Sequence, residues 1–342
     1  MVYFPTFVGN EQLKEQLGTD IVSDTLSHAY ILAGPYGSGK HTLAKLLAMA
    51  KCCSEKKKGS ALLPCGSCPS CRKFLSGQHP DITFINKGDK TTVNVASIRS
   101  LREDAVLSPT EGAYKFYVIE EADLMTAEAQ NALLLTLESP PPYVSFFLLS
   151  EKPDRLLETV RSRAPTLRLS LQNESTIESY LVASNESARS LKKSNPGELK
   201  AVVREARGSI GRAVDLMDPA MRAPIESRRQ ITLDFIEALS GNHVLPCLNL
   251  LKKLTSSDRA ELILQMSRFK DALRDLYLYK QSDRFPCLFF VTEEEMQAAS
   301  AHLSEKKLNQ ADHATDEALE QIEANLNVRL LLHKWAIGCG ML

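Results

Sequence analysis

The stretch Ala29-Tyr30-Ile31-Leu32-Ala33-Gly34-Pro35-Tyr36-Gly37-Ser38-Gly39-Lys40-His41-Thr42 reads as a strand running into a glycine-rich turn. Leu43-Ala44-Lys45-Leu46-Leu47-Ala48 continues it at helical spacing. Strand, glycine loop and helix in that order are the setting of a phosphate-binding loop. The glycines let backbone N–H groups curl around an anion, the helix N-terminus adds partial positive charge, and the lysine reaches the terminal phosphates. Gly34, Gly37, Gly39, Lys40, His41 and Thr42 are therefore the candidate nucleotide-binding residues of this segment. One of them breaks the pattern. The position after the lysine should carry a hydroxyl that ligates magnesium, and here it is His41. Thr42 offers a hydroxyl one residue later, but about 100° further around the helix. A loop that merely closes the strand–helix turn is the structural alternative.

Working outward, Lys115-Phe116-Tyr117-Val118-Ile119-Glu120-Glu121 is an apolar strand ending in carboxylates. A hydrolysing site ends such a strand in Asp-Glu, the first holding magnesium and the second polarising the attacking water. Glu120 in the first place is one methylene too long, whereas Glu121 fits the second. Both departures fall on the metal side. The expectation is a degraded Mg2+ site, ATP or ADP binding left open, and no efficient hydrolysis by this chain.

Further strands are predicted at 81–85, as a short buried one, at 144–149 and at 164–169. They alternate with helices at 12–23, 95–107 and 127–137, which predicts a parallel sheet covered by helices on both faces. Beyond Gln172 the strand pattern stops. Short helices are expected at 177–183, 188–193 and 199–206, and Pro219 with Pro224 reads as a boundary. Longer helices follow at 228–239, 244–254, 258–279, 293–303 and 311–335. A chain of 342 residues exceeds one ordinary core, in keeping with several regions.

Eight cysteines need a reason. Four of them, Cys53, Cys65, Cys68 and Cys71, crowd together, with Cys52 beside the first. Successive Cys-x2 steps make knuckle turns, and four thiolates suit a tetrahedral Zn2+ with no open position, hence a structural role. Cys53 is the expected fourth ligand, with Cys52 as the fallback. Cys247, Cys287 and Cys339 read as small buried hydrophobes. A formal charge of −1 provides no global attraction to nucleic acid, and the run Lys56, Lys57, Lys58 reads as solvated surface. The N-terminus lacks a signal-peptide pattern and no stretch has the length of a membrane span, so a cytoplasmic location with no membrane partner is expected.

Several stretches in fixed order carry a family resemblance. They are Phe7-Val8-Gly9-Asn10-Glu11, Ser27-His28-Ala29-Tyr30-Ile31-Leu32-Ala33-Gly34-Pro35, the cysteine group, Gly77-Gln78-His79-Pro80-Asp81, Glu120-Glu121-Ala122-Asp123, Ala129-Gln130-Asn131-Ala132-Leu133-Leu134 and Thr136-Leu137-Glu138-Ser139-Pro140-Pro141. Together they resemble the bacterial clamp-loader subunits of the AAA+ class in DNA polymerase III, of the delta' type, with gamma/tau as the near relative. The resemblance implies an α/β AAA+ P-loop domain over 1–171 with a parallel five-stranded sheet and an inserted zinc module at 53–71. It implies a small helical lid over 172–220 and an all-α collar over 221–342 that joins a pentameric ring.

Roles carry over residue by residue. Arg163, in Ser162-Arg163-Ala164, matches an arginine finger that serves a neighbouring ATP site in trans, although Ala164 replaces the usual cysteine. Arg212 matches the second sensor, and Glu151 adds a negative charge at the first. Glu121 matches the catalytic carboxylate, inactive here. The implied function is assistance in ATP-dependent loading of the sliding clamp onto primed DNA, beside gamma/tau and delta, without intrinsic ATPase. The implied partners include the clamp and primer–template DNA through the complex. A gamma/tau motor is the competitor. It needs intact magnesium ligands and a long extension, and the sequence at hand closes at Leu342. A zinc-dependent nucleic-acid-binding module is a weaker third reading.

Overall fold

The computed structural model describes residues 2–55, 62–88, 92–241, 244–282, 285, 287–290, 292–323 and 327–342. Lys56, Lys57 and Lys58 lie outside the described residues. The chain opens with β1 (Val2–Tyr3), α1 (Glu11–Val22), β2 (Ala29–Ala33), α2 (Lys40–Lys51), β3 (Leu62–Leu63) and α3 (Pro69–Leu75). It continues through β4 (Ile82–Ile85), α4 (Val95–Ala105), β5 (Lys115–Ile119), α5 (Ala127–Glu138), β6 (Val144–Ser150), α6 (Glu158–Arg161) and β7 (Thr166–Arg168). Helices α7 (Glu174–Ser184), α8 (Glu186–Ser194), α9 (Pro196–Glu205) and α10 (Ile210–Asp215) follow. The rest is α11 (Pro219–Ser240), α12 (Val244–Thr255), α13 (Arg259–Gln281), α14 (Glu293–Ser300), α15 (Glu305–Glu323) and α16 (Val328–Gly338).

Two compact units emerge. One holds Met1–Ser184 with Gly208–Arg212, and the other Asn185–Arg207 with Ala213–Leu342. In the first unit five strands form a parallel sheet in the order β4-β5-β6-β2-β7. The expected five-stranded parallel sheet is present. Its central strands are buried on both faces, which is why they read as unbroken apolar runs rather than alternating ones. Side chains still divide by parity. Leu32, Phe116, Val118, Phe147 and Leu149 pack with Leu43 and Leu47 of α2 and Leu17 of α1. Ile31, Tyr117, Ile119, Phe146 and Leu148 pack with Ile98 of α4 and Leu133 and Leu137 of α5. The sheet is therefore the middle layer of three.

Edge strand β4 departs from its reading as buried. Its residues are half-buried to exposed, because only β5 flanks it. A second, two-stranded pair joins β1 to β3, Val2 opposite Leu62 and Tyr3 opposite Leu63.

The second unit is helical and has its own core. Phe235, Phe269 and Trp335 stack on one another with ring centroids 4.4 to 5.4 Å apart, and the indole N–H donates to Thr315 Oγ1 at 3.1 Å. Two expectations are corrected here. Pro219 opens a new element: it occupies the first turn of α11, where a missing N–H costs nothing, and Asp218 caps the end through the Ala220 N–H. Pro224 sits inside the same helix, which continues past it. The single helix expected over 311–335 is two, because Asn327 caps a fresh start at α16, accepting from the N–H groups of Arg329 and Leu330.

Candidate functional site

In a parallel sheet every strand delivers its C-terminal end to the same edge, where ligands gather. Three adjacent strands do so here. β2 ends in the glycine loop, its neighbour β6 in Ser150 and Glu151, and β5 on the far side of β6 in Glu120 and Glu121.

Gly37 and Gly39 adopt φ of +69° and +95°, which only glycine takes without strain. Gly39 precedes α2, and a Cβ there would sit 2.8 Å from the Phe7 ring. Ser38 Oγ is buried in the loop without a hydrogen-bond partner. Lys40 turns back on the loop, donating to the carbonyls of Gly34 at 2.5 Å and Pro35 at 2.8 Å. Burial lowers the Lys40 ammonium from its ordinary pKa, while Glu151, 3.9 Å away, and Asp123 oppose that shift. An anion entering this loop would find a lysine and an orphaned hydroxyl. The phosphate half of the site fits a nucleotide.

The metal half does not. His41 Nε2 lies 3.2 Å from Glu120 Oε1, and its ring stacks on Phe84 of β4 with centroids 4.6 Å apart. The two positions that would ligate magnesium are thus engaged with each other. Glu121, at φ +49°, pairs with Lys87 at 2.7 Å. The Glu151 N–H donates to Asp123 Oδ1 at 3.2 Å. Thr42 is exposed on α2. Phe84, Lys87 and Asp123 were not singled out as site residues from the sequence. Asp123 was legible as part of the acidic strand end, whereas nothing in the chain signalled the other two.

The segment 208–212 docks on the glycine loop. Gly211 N–H donates to the Gly37 carbonyl at 2.9 Å, and Ser209 Oγ donates to the Tyr36 carbonyl at 2.9 Å. A Cβ on Gly211 would approach Gly37 Cα to 2.7 Å, so two backbones touch here. The Arg212 N–H donates to Ser209 Oγ, which places Arg212 beside the loop.

Arg163 lies elsewhere, between α6 and β7. Its Nη1 donates to the Thr159 carbonyl at 2.9 Å, and its Nη2 meets Glu138 Oε1 at 2.8 Å. Arg161 pairs with Asp154 at 3.4 Å.

The thiols of Cys53, Cys65, Cys68 and Cys71 lie within 4.8 Å of one another, and Cys53, not Cys52, completes the group. Zn–S bonds of about 2.3 Å imply tetrahedral edges of about 3.8 Å, and Cys65 and Cys71 are 3.9 Å apart. Gly66, at φ +73°, makes the knuckle turn, and the Cys68 N–H points at Cys65 Sγ. Burial raises the Cys65 thiol, but N–H and hydroxyl donors from Ser67 and Cys68 outweigh it and bring it down to about 6. The donor set fits a metal of thiolate preference.

Behind the cysteines, fully buried Asp81 accepts N–H groups from Thr110, Glu111 and Gly112 at 2.5 to 2.9 Å. Burial pushes its carboxyl up, and those three amides outweigh it, holding it below the usual carboxylate range. His79 stacks on Phe74 of α3 at 4.0 Å and accepts the Asp81 N–H. The His79-Pro80-Asp81 stretch therefore fastens the cysteine module to the turn before β5.

Residues 9–175 match the family model described as DNA polymerase III, delta subunit. Subunit delta' of Bacillus subtilis is 39% identical over 166 residues, 48% of this chain and 49% of that protein. Subunit tau/gamma of Haemophilus influenzae is 30% identical over 239 residues, 70% of this chain but 33% of that protein. The chain thus spans half or less of the length of these two relatives. A solved gamma subunit-related protein of Thermotoga maritima aligns over 95% of this chain and 99% of its own, at 18% identity and a TM-score of 0.40. On the sequence matches, the first half of the chain is similar to the DNA polymerase III subunits delta' and gamma/tau.

Proposed function

We propose that this chain is a delta'-like subunit of the DNA polymerase III clamp loader. In that reading it assists ATP-dependent loading of the sliding clamp onto primed DNA and does not hydrolyse ATP itself. The single observation that carries this reading is the His41–Glu120 pair. A hydrolysing P-loop needs a hydroxyl and a short carboxylate around magnesium, and here those two places hold an imidazole and a longer acid in contact. Nucleotide bound to Gly34, Gly37, Gly39 and Lys40 with Arg212 alongside would be held, not turned over. Glu121 retains the place of a water-polarising carboxylate but spends its charge on Lys87.

Arg163 is the residue assigned a part in chemistry, at the nucleotide of a neighbouring subunit. A guanidinium placed against the γ-phosphate stabilises the charge that spreads over its oxygens in the transition state. Gamma/tau and delta subunits are the proposed neighbours, with the clamp and primer–template DNA reached through the assembly. Zn2+ at Cys53, Cys65, Cys68 and Cys71 would cross-link the inserted module, and four thiolates leave it no open position for catalysis. The division into a nucleotide-binding-like domain at 1–171, a lid at 172–220 and a collar at 221–342 is part of the same proposal.

A gamma/tau-type motor is the second reading, favoured by the match to subunit tau/gamma over 70% of the chain. Steady-state ATPase of the purified full chain separates the two. Turnover at background, with Mg2+ and primed DNA present, is expected. A magnesium-dependent, DNA-stimulated rate would instead support the motor.

A further inference from the structure

The arginine assigned to the neighbour's phosphate is already engaged at home. Arg163 Nη2 meets Glu138 Oε1 at 2.8 Å, and Nη1 donates to the Thr159 carbonyl at 2.9 Å. Glu138 closes α5, whereas Thr159 belongs to α6, so two separate elements hold one guanidinium. Arginine grips phosphate best through two parallel N–H donors. Each terminal nitrogen carries two N–H groups, and Nη1 also lies 3.4 Å from Ser162 Oγ, so an arriving phosphate competes with these acceptors for the fork. The Thr159 carbonyl is neutral and can share its donor. Glu138 is an anion, and a phosphate arriving at the same guanidinium meets its charge. Arg161, by contrast, pairs with Asp154 only seven residues away, a local contact at 3.4 Å.

We propose that Glu138 is a latch: a positioning residue that holds Arg163 against its own chain until the phosphate of a neighbouring subunit's nucleotide displaces the carboxylate. This rests on the reading of Arg163 as acting in trans. Both partners are partly exposed, at 35% and 47% of their side-chain surface, so the latch is a weak one. Exposed ion pairs of this kind bias an equilibrium about two- to five-fold. That is enough to tune the nucleotide concentration at which the finger engages and too little to block it.

The test uses the complex reconstituted with its ATP-hydrolysing subunits. Glu138→Gln keeps the shape and an acceptor but removes the charge. The ATP concentration for half-maximal hydrolysis should fall about two- to five-fold, with the change in KM rather than kcat. The gap should shrink between about 50 mM and about 0.5 M salt as the pair in the parent protein is screened. Glu138→Asp, which keeps the charge, should stay nearer the parent. Glu138→Ala should reproduce the shift and serves if the glutamine variant does not assemble. Half-saturation that is unchanged or raised in an assembled variant overturns the latch. Arg163→Ala, measured alongside, separates the two claims. If it leaves hydrolysis unaltered, the trans reading fails and the latch with it. If it slows hydrolysis while Glu138→Gln is inert, the latch alone fails.

Discussion

At the scale of single residues, His41 decides how the glycine loop is understood. An imidazole after the lysine was visible in the chain, as was Glu120 one methylene too long. Their contact was not, because it joins the first turn of α2 to the end of β5 across a distance that only the fold creates. The same holds for Phe84, which supplies the stack under His41 from the sheet edge, and for Glu138, which meets Arg163 from a separate helix. If His41 and Glu120 jointly displace magnesium, restoring both should restore it. His41→Ser with Glu120→Asp is expected to make ATP binding magnesium-dependent and to raise affinity with Mg2+ roughly tenfold, the scale of a restored metal environment. Calorimetric titration with and without Mg2+ reads this out. Equal affinities in the two buffers would mean the pair is incidental to the lost metal site.

Among elements, the strands were the most legible. Those buried on both faces announce themselves as apolar runs, and only β4 misled, because an edge strand needs fewer apolar residues than its own sequence carried. Helix ends were harder. Pro224 lies inside α11 where it was read as a break, and Asn327 divides what periodicity joined, since a cap acts locally against a continuing pattern. The cysteine module was legible from spacing alone, but its attachments were not. β1 pairs with β3 and the Phe4 N–H donates to the Leu63 carbonyl at 2.6 Å, so the N-terminus is tied to the module. Metal loss should therefore loosen both. Cys71→Ser is expected to abolish bound zinc, to lower the melting temperature by about 5–10 °C, and to speed hydrogen exchange at residues 2–4 together with 62–75. Elemental analysis, calorimetry and exchange mass spectrometry check the three. Full zinc content in the serine variant would remove Cys71 from the ligand set.

For the whole molecule, the division of labour follows from where chemistry has been kept and where it has been lost. The sheet and its loop are intact as architecture: Leu32, Leu43, Leu47, Val118 and Phe147 still build one side of the core around the turn. The metal side of the loop is filled by the chain's own groups, while Arg163, between α6 and β7, is the residue proposed to serve another subunit. Among the described residues, the second unit packs its helices around Phe235, Phe269 and Trp335 and contributes no group to this reading of the chemistry. The central claim is that this chain assists hydrolysis it does not perform. The most direct measurement is the pre-steady-state burst of ATP hydrolysis in the reconstituted complex carrying Arg163→Ala. A finger contributes about 10³-fold or more at the site it faces, so the burst should lose about one equivalent and clamp loading should slow with it. A full burst with unchanged loading would contradict the account.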